Sequence, residues 1–308
     1  MDEFGSGVLV LHKPRGMTSQ QAVTRVRRML DYAKAGHSGI LDPEVTGVLP
    51  ILFGSATRLA EYIMDAQKAY EAVVHFGSAT DTQDATGQVV ATGDPSGLDR
   101  AVVDAALATF VGEIEQMPPQ YSALKIAGVR AYELARKGQV APLVARTVQV
   151  LSCSLIDFTH VEGLVQARFS ITCKKGTYVR TICHDLGALV GVPAHMAQLV
   201  RTRSGPFTLA DAHSIDEVAE KGRLLVLTPE HAVTSLPAFT VTPEQAQRVF
   251  HGARLQVRGV APLPVAQDVR LHGPSGQLLA IYTVLHAVPG EGLTLAAKKV
   301  LALQEVTV

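Results

Sequence analysis

The chain's clearest candidate for chemistry is Asp42, in the run Ala35-Gly36-His37-Ser38-Gly39-Ile40-Leu41-Asp42-Pro43-Glu44-Val45-Thr46-Gly47-Val48-Leu49-Pro50. Glycine reaches backbone angles that other residues avoid, and Pro43 drives Asp42 towards an extended conformation, so this loop can hold a carboxylate in one outward direction. A carboxylate fixed in that way can act as a nucleophile, splitting one difficult step into two through a covalent intermediate. Taken alone, an aspartate before a proline is also an ordinary turn former. The rest of the chain has to decide between the two.

A second concentration of reactive residue types runs from Arg168 to Arg203, where Arg168, Lys174, Lys175, Arg180, Arg201 and Arg203 face Asp185 alone, a local excess of five positive charges. Over all 308 residues, 28 basic side chains balance 28 acidic ones, so attraction for a polyanion has to come from such a patch and not from net charge. Several other chemistries lose ground on motif. There is no G-x-x-x-x-G-K-[ST], the glycines around Asp42 do not form G-x-G-x-x-G between a strand and a helix, and Ser38 is not in a G-x-S-x-G elbow. The polar run Thr80-Asp81-Thr82-Gln83-Asp84-Ala85-Thr86-Gly87 could suggest calcium, yet it lacks the twelve-residue ligand pattern and terminal glutamate of an EF-hand, and reads as a turn with side-chain hydrogen bonds. Cys153, Cys173 and Cys183 are odd in number and without C-x-x-C spacing, against a disulfide framework or a structural zinc, and a reducing cytoplasm is expected. No run approaches the ~20 apolar residues of a membrane helix, and the acidic start at Met1 offers no targeting signal.

The elements that must position these residues follow from hydrophobic patterning, in a chain whose 47% hydrophobic and 18% charged residues are ordinary for a globular protein. Gly7 to Leu11 reads as a strand, closed by the turn His12-Lys13-Pro14-Arg15-Gly16. Thr18 or Ser19 can cap a helix to about Leu30, whose Arg25, Arg27 and Arg28 read as a solvated face. Leu49 to Gly54, Lys68 to Gly77, Tyr121 to Ile126, Val148 to Leu155, Leu164 to Cys173 and Ala194 to Gly205 are expected strands. Helices are expected over Thr57 to Met64, Asp99 to Val111, Arg130 to Lys137 and from Thr177, as cap, to Val190. Past about Leu236, prolines punctuate the chain, and short strands are expected at Leu255 to Val257, Val269 to Leu271, Leu278 to Leu285 and Leu293 to Leu303, with a hairpin turn at Gly273-Pro274-Ser275-Gly276. A boundary there divides the chain into residues 1–235 and 236–308.

The block Gly36-His37-Ser38-Gly39-Ile40-Leu41-Asp42-Pro43, continued by Thr46-Gly47-Val48-Leu49-Pro50, resembles the catalytic motif of the bacterial TruB tRNA pseudouridine synthases. Further blocks resemble that family in the same order: Lys13-Pro14-Arg15-Gly16-Met17-Thr18-Ser19, Tyr70, Tyr121-Ser122-Ala123-Leu124-Lys125 and Lys175-Gly176-Thr177-Tyr178-Val179-Arg180. Ser38, where threonine is frequent, and Cys183 and His184 after Arg180 depart from the pattern, but none removes a group the chemistry needs. The fold class implied is α+β, the pseudouridine synthase fold: a central mixed, mainly antiparallel sheet flanked by helices, followed by a small β-rich, PUA-like domain that would bind the tRNA acceptor arm.

The activity implied is isomerisation of the uridine at position 55, in the T-loop of tRNA, with no cofactor and no metal, by a cytoplasmic monomer. By the same resemblance Asp42 is the nucleophile towards ribose or base, Arg180 the cation that keeps it ionised, Tyr70 the ring that stacks on the flipped base, and Tyr178 a contact beside the arginine. His37 would wedge into the RNA loop, Leu199 would line the pocket, and Lys13 would support the site or touch phosphate. Glu44, Cys183, His184 and Asp185 are expected to be structural or solvated. Two rivals remain at this point: a guide-RNA-dependent synthase of the same superfamily, and a tRNA-folding chaperone in which Asp42 is incidental.

Overall fold

The computed structural model describes residues 5–161, 163–288 and 292–301. Its first strand, Gly7–Lys13 (β1), shows how the sequence pattern becomes architecture. Alternate residues point to opposite faces of a strand: Leu9 and Leu11 enter one apolar core, while Val8 and Val10 enter another behind the sheet. Thr18 caps Ser19–Met29 (α1) reciprocally with Gln21, a capping box that fixes where the helix starts. The short strand Ala35–His37 (β2), which glycine at its centre hides from a propensity reading, pairs with Thr46–Phe53 (β3), and β3 pairs from Gly47 to Phe53 with the whole of β1.

A 3-10 turn leads into Ala60–Asp65 (α2), then Lys68–Phe76 (β4), the hairpin Ser78–Thr80 (β5) and Val89–Thr92 (β6), and Arg100–Ala108 (α3), which Asp99 caps. Gly112–Gln116 (β7), a small hairpin of Lys125–Ile126 (β8) and Val129–Arg130 (β9), and Ala131–Ala135 (α4) follow. The long antiparallel pair Arg146–Val161 (β10) and Leu164–Cys173 (β11) then delivers Val179–Leu189 (α5), Ala194–Ser204 (β12), Phe207–Thr208 (β13) and Ile215–Lys221 (α6). The central sheet has nine strands along the path β1-β3-β12-β4-β11-β10-β7, with β2 beside β3 and β13 beside β12. Every neighbour is antiparallel except β12 and β3, which run parallel at Val200 opposite Thr46 and Arg201 opposite Gly47. That contact brings the end of β12 against the exit of the Asp42 loop. A Cβ at Gly47 (φ +105°) would lie 2.2 Å from the Arg201 carbonyl oxygen, so only glycine admits it.

The remaining strands form a separate five-stranded sheet in the order Ala238–Thr240 (β14), Asp268–His272 (β16), Leu278–Val288 (β17), Gly292–Val300 (β18) and Leu255–Val257 (β15), with Pro243–Phe250 (α7) packed on it. The prolines there read as breaks, and so hid α7; Pro243 is instead its first residue, behind a Thr242–Gln245 capping box. Ile281 and Leu301 join the core behind β1, the Tyr62 hydroxyl donates to Asp268 at 2.8 Å, and Arg58 donates to the Val300 carbonyl at 2.7 Å. These contacts seat the second sheet against α2. The final two residues of the expected strand ending at Leu303 lie outside the described residues.

Two sequence expectations are corrected. Tyr121 to Leu124 is not a strand: the Ser122 and Leu124 carbonyls accept from Tyr132 and Ala131 across the loop, so only Lys125–Ile126 pairs as β8. Thr177 is not the cap of α5. Its hydroxyl donates to the Lys174 carbonyl, and the Gln116 amide covers the Tyr178 N–H (2.8 Å) and C=O (3.1 Å) at the cap position.

All three thiols are buried in the main core. Burial raises their pKa, from an ordinary 9.0 to about 12 for Cys153 and about 11 for Cys173, and upward for Cys183. The thiols therefore ionise first in the unfolded chain, so the stability they contribute is complete below pH 9 and lost as pH rises through 11. The melting temperature is expected to fall over that window, and a thiol reagent at pH 8 should modify none of the cysteines before unfolding and all of them after it.

Candidate active site

The Asp42 loop is held from below by two buried polar side chains. Lys13, at the end of β1, is fully buried and donates its ammonium to the carbonyls of Pro14 (2.8 Å), Met17 (2.6 Å) and Pro43 (3.0 Å). Burial lowers its pKa to about 8. With every donor turned inward, Lys13 supports the loop, and the phosphate contact that the sequence left open is corrected. Ser19, in the first turn of α1, both donates to the Leu41 carbonyl (3.1 Å) and accepts from its N–H (2.8 Å). Asp42 is thus pinned on either side and projects a carboxylate that is 43% exposed, accessible to a substrate.

Opposite it stands Arg180, from the first turn of α5, with its side chain 7% exposed. Its Nη1 lies 3.4 Å from Asp42 Oδ2 and 3.6 Å from Asp84 Oδ2, and its Nη2 donates to the Tyr121 carbonyl at 2.6 Å. Asp84 comes from the polar run first weighed for calcium. Its other oxygen accepts from Thr82 Oγ1 (2.8 Å), Thr86 N (2.9 Å) and Thr86 Oγ1 (2.6 Å). Gln83, at a positive φ of 65°, docks the run: its carbonyl accepts from Met196 N (3.0 Å) and its amide oxygen from Thr181 Oγ1 (2.7 Å). Non-glycine residues rarely hold such backbone angles unless their surroundings demand it. One buried guanidinium therefore spans two carboxylates, a rigid one behind and an accessible one in front.

Between these groups lies an open cavity of about 200 Å³, lined by Ile40, Leu41, Asp42, Val45, Tyr70, Ala123, Thr177, Tyr178, Val179, Arg180, Met196 and Leu199. It is room for one base and too small for a duplex. β4 delivers Tyr70, β12 delivers Leu199, and Tyr178 stands where β11 turns into α5, its ring 5.9 Å from the Arg180 guanidinium. Burial pushes both phenols upward in pKa, so neither carries charge near neutrality. Asp42, Tyr70, Tyr178, Arg180 and Leu199 thus meet in one cavity, although well over a hundred residues separate the first from the last. His37 does not line it. It ends β2, with Nδ1 accepting from Gly39 N at 3.3 Å, and its pKa is lowered by burial and then by Arg201. Glu44 pairs with Arg15 at 2.5 Å beside the cavity.

The six-cation patch breaks up in three dimensions. Arg180 and Arg201 are buried, Lys175 pairs with Asp65 (2.7 Å), Arg168 lies near Glu71 (3.9 Å), Arg203 donates to the neutral Gln67 (3.0 Å), and Lys174 stays exposed. Linear charge counting could not see partners brought in from α2 and β4. It also gave neither Asp84 nor Arg201 a place in the site. The density of Asp and Thr in the Asp84 run was a usable signal, but nothing local distinguishes buried Arg201 from half-buried Arg203.

Two family models match the chain: the N-terminal domain of the TruB family pseudouridylate synthases over residues 27–179, and the C-terminal domain of tRNA pseudouridylate synthase B over residues 180–227. The tRNA pseudouridine synthase B of Symbiobacterium thermophilum is 51% identical, the alignment covering 82% of this chain and 84% of that one. The enzyme of the same name from Halalkalibacterium halodurans is 44% identical over 90% and 92%. Among solved structures, an H/ACA ribonucleoprotein bound to a substrate RNA containing 2'-deoxyuridine superposes with a TM-score of 0.74 at 26% identity, covering 96% of this chain and 85% of its counterpart. The sheet, the cavity and these likenesses agree, and the chain belongs to the TruB family of pseudouridine synthases, isomerases that convert uridine to pseudouridine in tRNA.

Proposed function

We propose that the substrate is the uridine at position 55 of the tRNA T-loop and that Asp42 is the nucleophile. The observation that carries this reading is the 3.4 Å approach of Arg180 to an accessible Asp42 inside a cavity sized for one base. The uridine leaves its stack and enters between Tyr70, Tyr178 and Leu199. Stacking on an aromatic ring is worth ~1–3 kcal/mol, comparable to the few kcal/mol that flipping a nucleotide costs. Asp42 forms a covalent adduct with the ribose or the base, the bond from ribose C1' to N1 breaks, the base turns to bond to C1' through C5, and the bond to Asp42 breaks again to return its carboxylate. C5 releases its proton and N1 takes one up, so composition is unchanged and the reaction calls for neither metal nor organic cofactor. Arg180 holds Asp42 ionised and aimed, and Asp84 holds Arg180.

The second sheet, from Leu236 onward, is assigned the tRNA acceptor arm, and His37, at the rim, the RNA loop beside the flipped nucleotide. The enzyme works as a monomer in the cytoplasm, where its three thiols stay reduced. A free-standing enzyme is favoured over a guide-RNA-dependent one because identity to the tRNA pseudouridine synthase B relatives, 41–51%, exceeds the 26–27% shared with the H/ACA ribonucleoprotein structures. The test is incubation of the pure protein with an unmodified tRNA transcript and mapping of pseudouridine at nucleotide resolution. One product, at position 55, is expected; a product elsewhere reassigns the substrate, and none overturns the reading.

A further inference from the structure

Arg201 is fully buried, among the largest side chains so enclosed, yet among the described residues no carboxylate lies within ion-pair distance of it. A buried charge without a counter-charge is costly unless its donors are satisfied. Its Nε donates to the Val48 carbonyl at 2.8 Å, Nη1 to Ile40 at 3.4 Å and Nη2 to Gly39 at 3.3 Å. The first carbonyl belongs to β3 after the Asp42 loop, the other two to the loop before it. Arg201 also sits directly opposite Tyr70 in the register of β12 and β4, its guanidinium beside the Tyr70 phenol. One planar cation therefore touches both flanks of the nucleophile loop and the tyrosine across the cavity. Leu199, two residues earlier on the same face of β12, lines that cavity above it.

We propose that Arg201 is a positioning residue of this active site, its guanidinium tying the Asp42 loop to the Tyr70 strand and fixing the gap that the flipped base enters. The inference rests on the roles given above to Asp42 and Tyr70. A fork of donors in one plane is what three carbonyls and a phenol spread around a point require, and a lysine ammonium cannot reach them all. The Asp42 carboxylate is untouched by Arg201, so its effect passes through geometry alone.

The experiment compares wild type, Arg201→Lys, Arg201→Gln, Tyr70→Phe and the double variant R201K/Y70F on a tRNA transcript, reading single-turnover rate, tRNA affinity and melting temperature. Arg201→Lys is expected to fold and to bind tRNA within about threefold of wild type, while its rate falls about 100-fold, the scale of a roughly 1 Å misplacement. The double variant is expected to lose little beyond the worse single one, because both cut the same tie. A purely structural role predicts otherwise: rate falling only as the folded fraction falls, and losses that multiply in the double variant. Either result overturns the proposal, as does a wild-type rate in Arg201→Lys, or failure of both Arg201 variants to fold. A wild-type protein that makes no pseudouridine removes the reading of the site itself, whereas equal activity in wild type and Arg201→Lys removes only the role of Arg201.

Discussion

Asp42→Asn is expected to lower pseudouridine formation by at least about 10⁴-fold, the scale on which removing a covalent nucleophile acts, while folding and tRNA binding stay close to wild type. The substitution is nearly isosteric. The contacts that hold the loop, from Lys13 to Pro43 and from Ser19 to Leu41, use backbone atoms and do not involve the Asp42 side chain. The carboxylate is also 43% exposed, so its loss strands no fully buried partner, and Arg180 keeps Asp84 and the Tyr121 carbonyl. Activity, affinity and melting temperature measured together check this. Full activity in Asp42→Asn would end the nucleophile assignment, and an equal fall in affinity would move Asp42 from chemistry to binding.

Arg180→Lys is expected to cost about 10³-fold in rate although the charge is kept. The guanidinium reaches Asp42 and Asp84 through one nitrogen and Tyr121 through another, which a single ammonium on a flexible stem cannot reproduce. Asp84→Ala tests the other end of the same network. It leaves Arg180 without its rigid rear anchor, and a loss on the order of 10²-fold is expected, as for a misplaced catalytic group. Because the three residues act as a unit, the loss in an R180K/D84A double variant should fall well short of the product of the single losses. Independent losses would show that Asp84 serves its own turn, with its hydroxyl and amide donors, and not the arginine.

Much of the scaffold was legible because its signals are local. The apolar run of β1, alternation in β11, Thr18 as one of the two caps offered for α1, Asp99 at the start of α3 and the glycine exit of the Asp42 loop each act within a few residues, and each stands where the sequence placed it. The misses share a different cause. Tyr121 to Leu124 has strand-like residues but finds its hydrogen bonds in the Ala131–Tyr132 backbone, and Thr177 lost the cap of α5 to Gln116, a side chain from β7. Propensity cannot register a partner that arrives from another element.

The same division runs through the site. The sequence alone determined that a glycine- and proline-framed carboxylate would be presented on a loop, and its ordered blocks placed it in a family whose chemistry uses a carboxylate, an arginine and aromatic rings. Only the tertiary structure decided which charges act. The run from Arg168 to Arg203 looked like one cationic surface, yet folding buries Arg180 between two carboxylates, buries Arg201 among carbonyls, and neutralises Lys175 with Asp65. Asp84 changed from a turn residue into the support of Arg180, and Lys13 from a possible phosphate contact into the tether of Pro43. The physical reason is that a backbone preference is set by near neighbours, whereas what a charge does depends on burial and on partners that the sheet order of β1, β3, β12 and β4 brings together from distant parts of the chain.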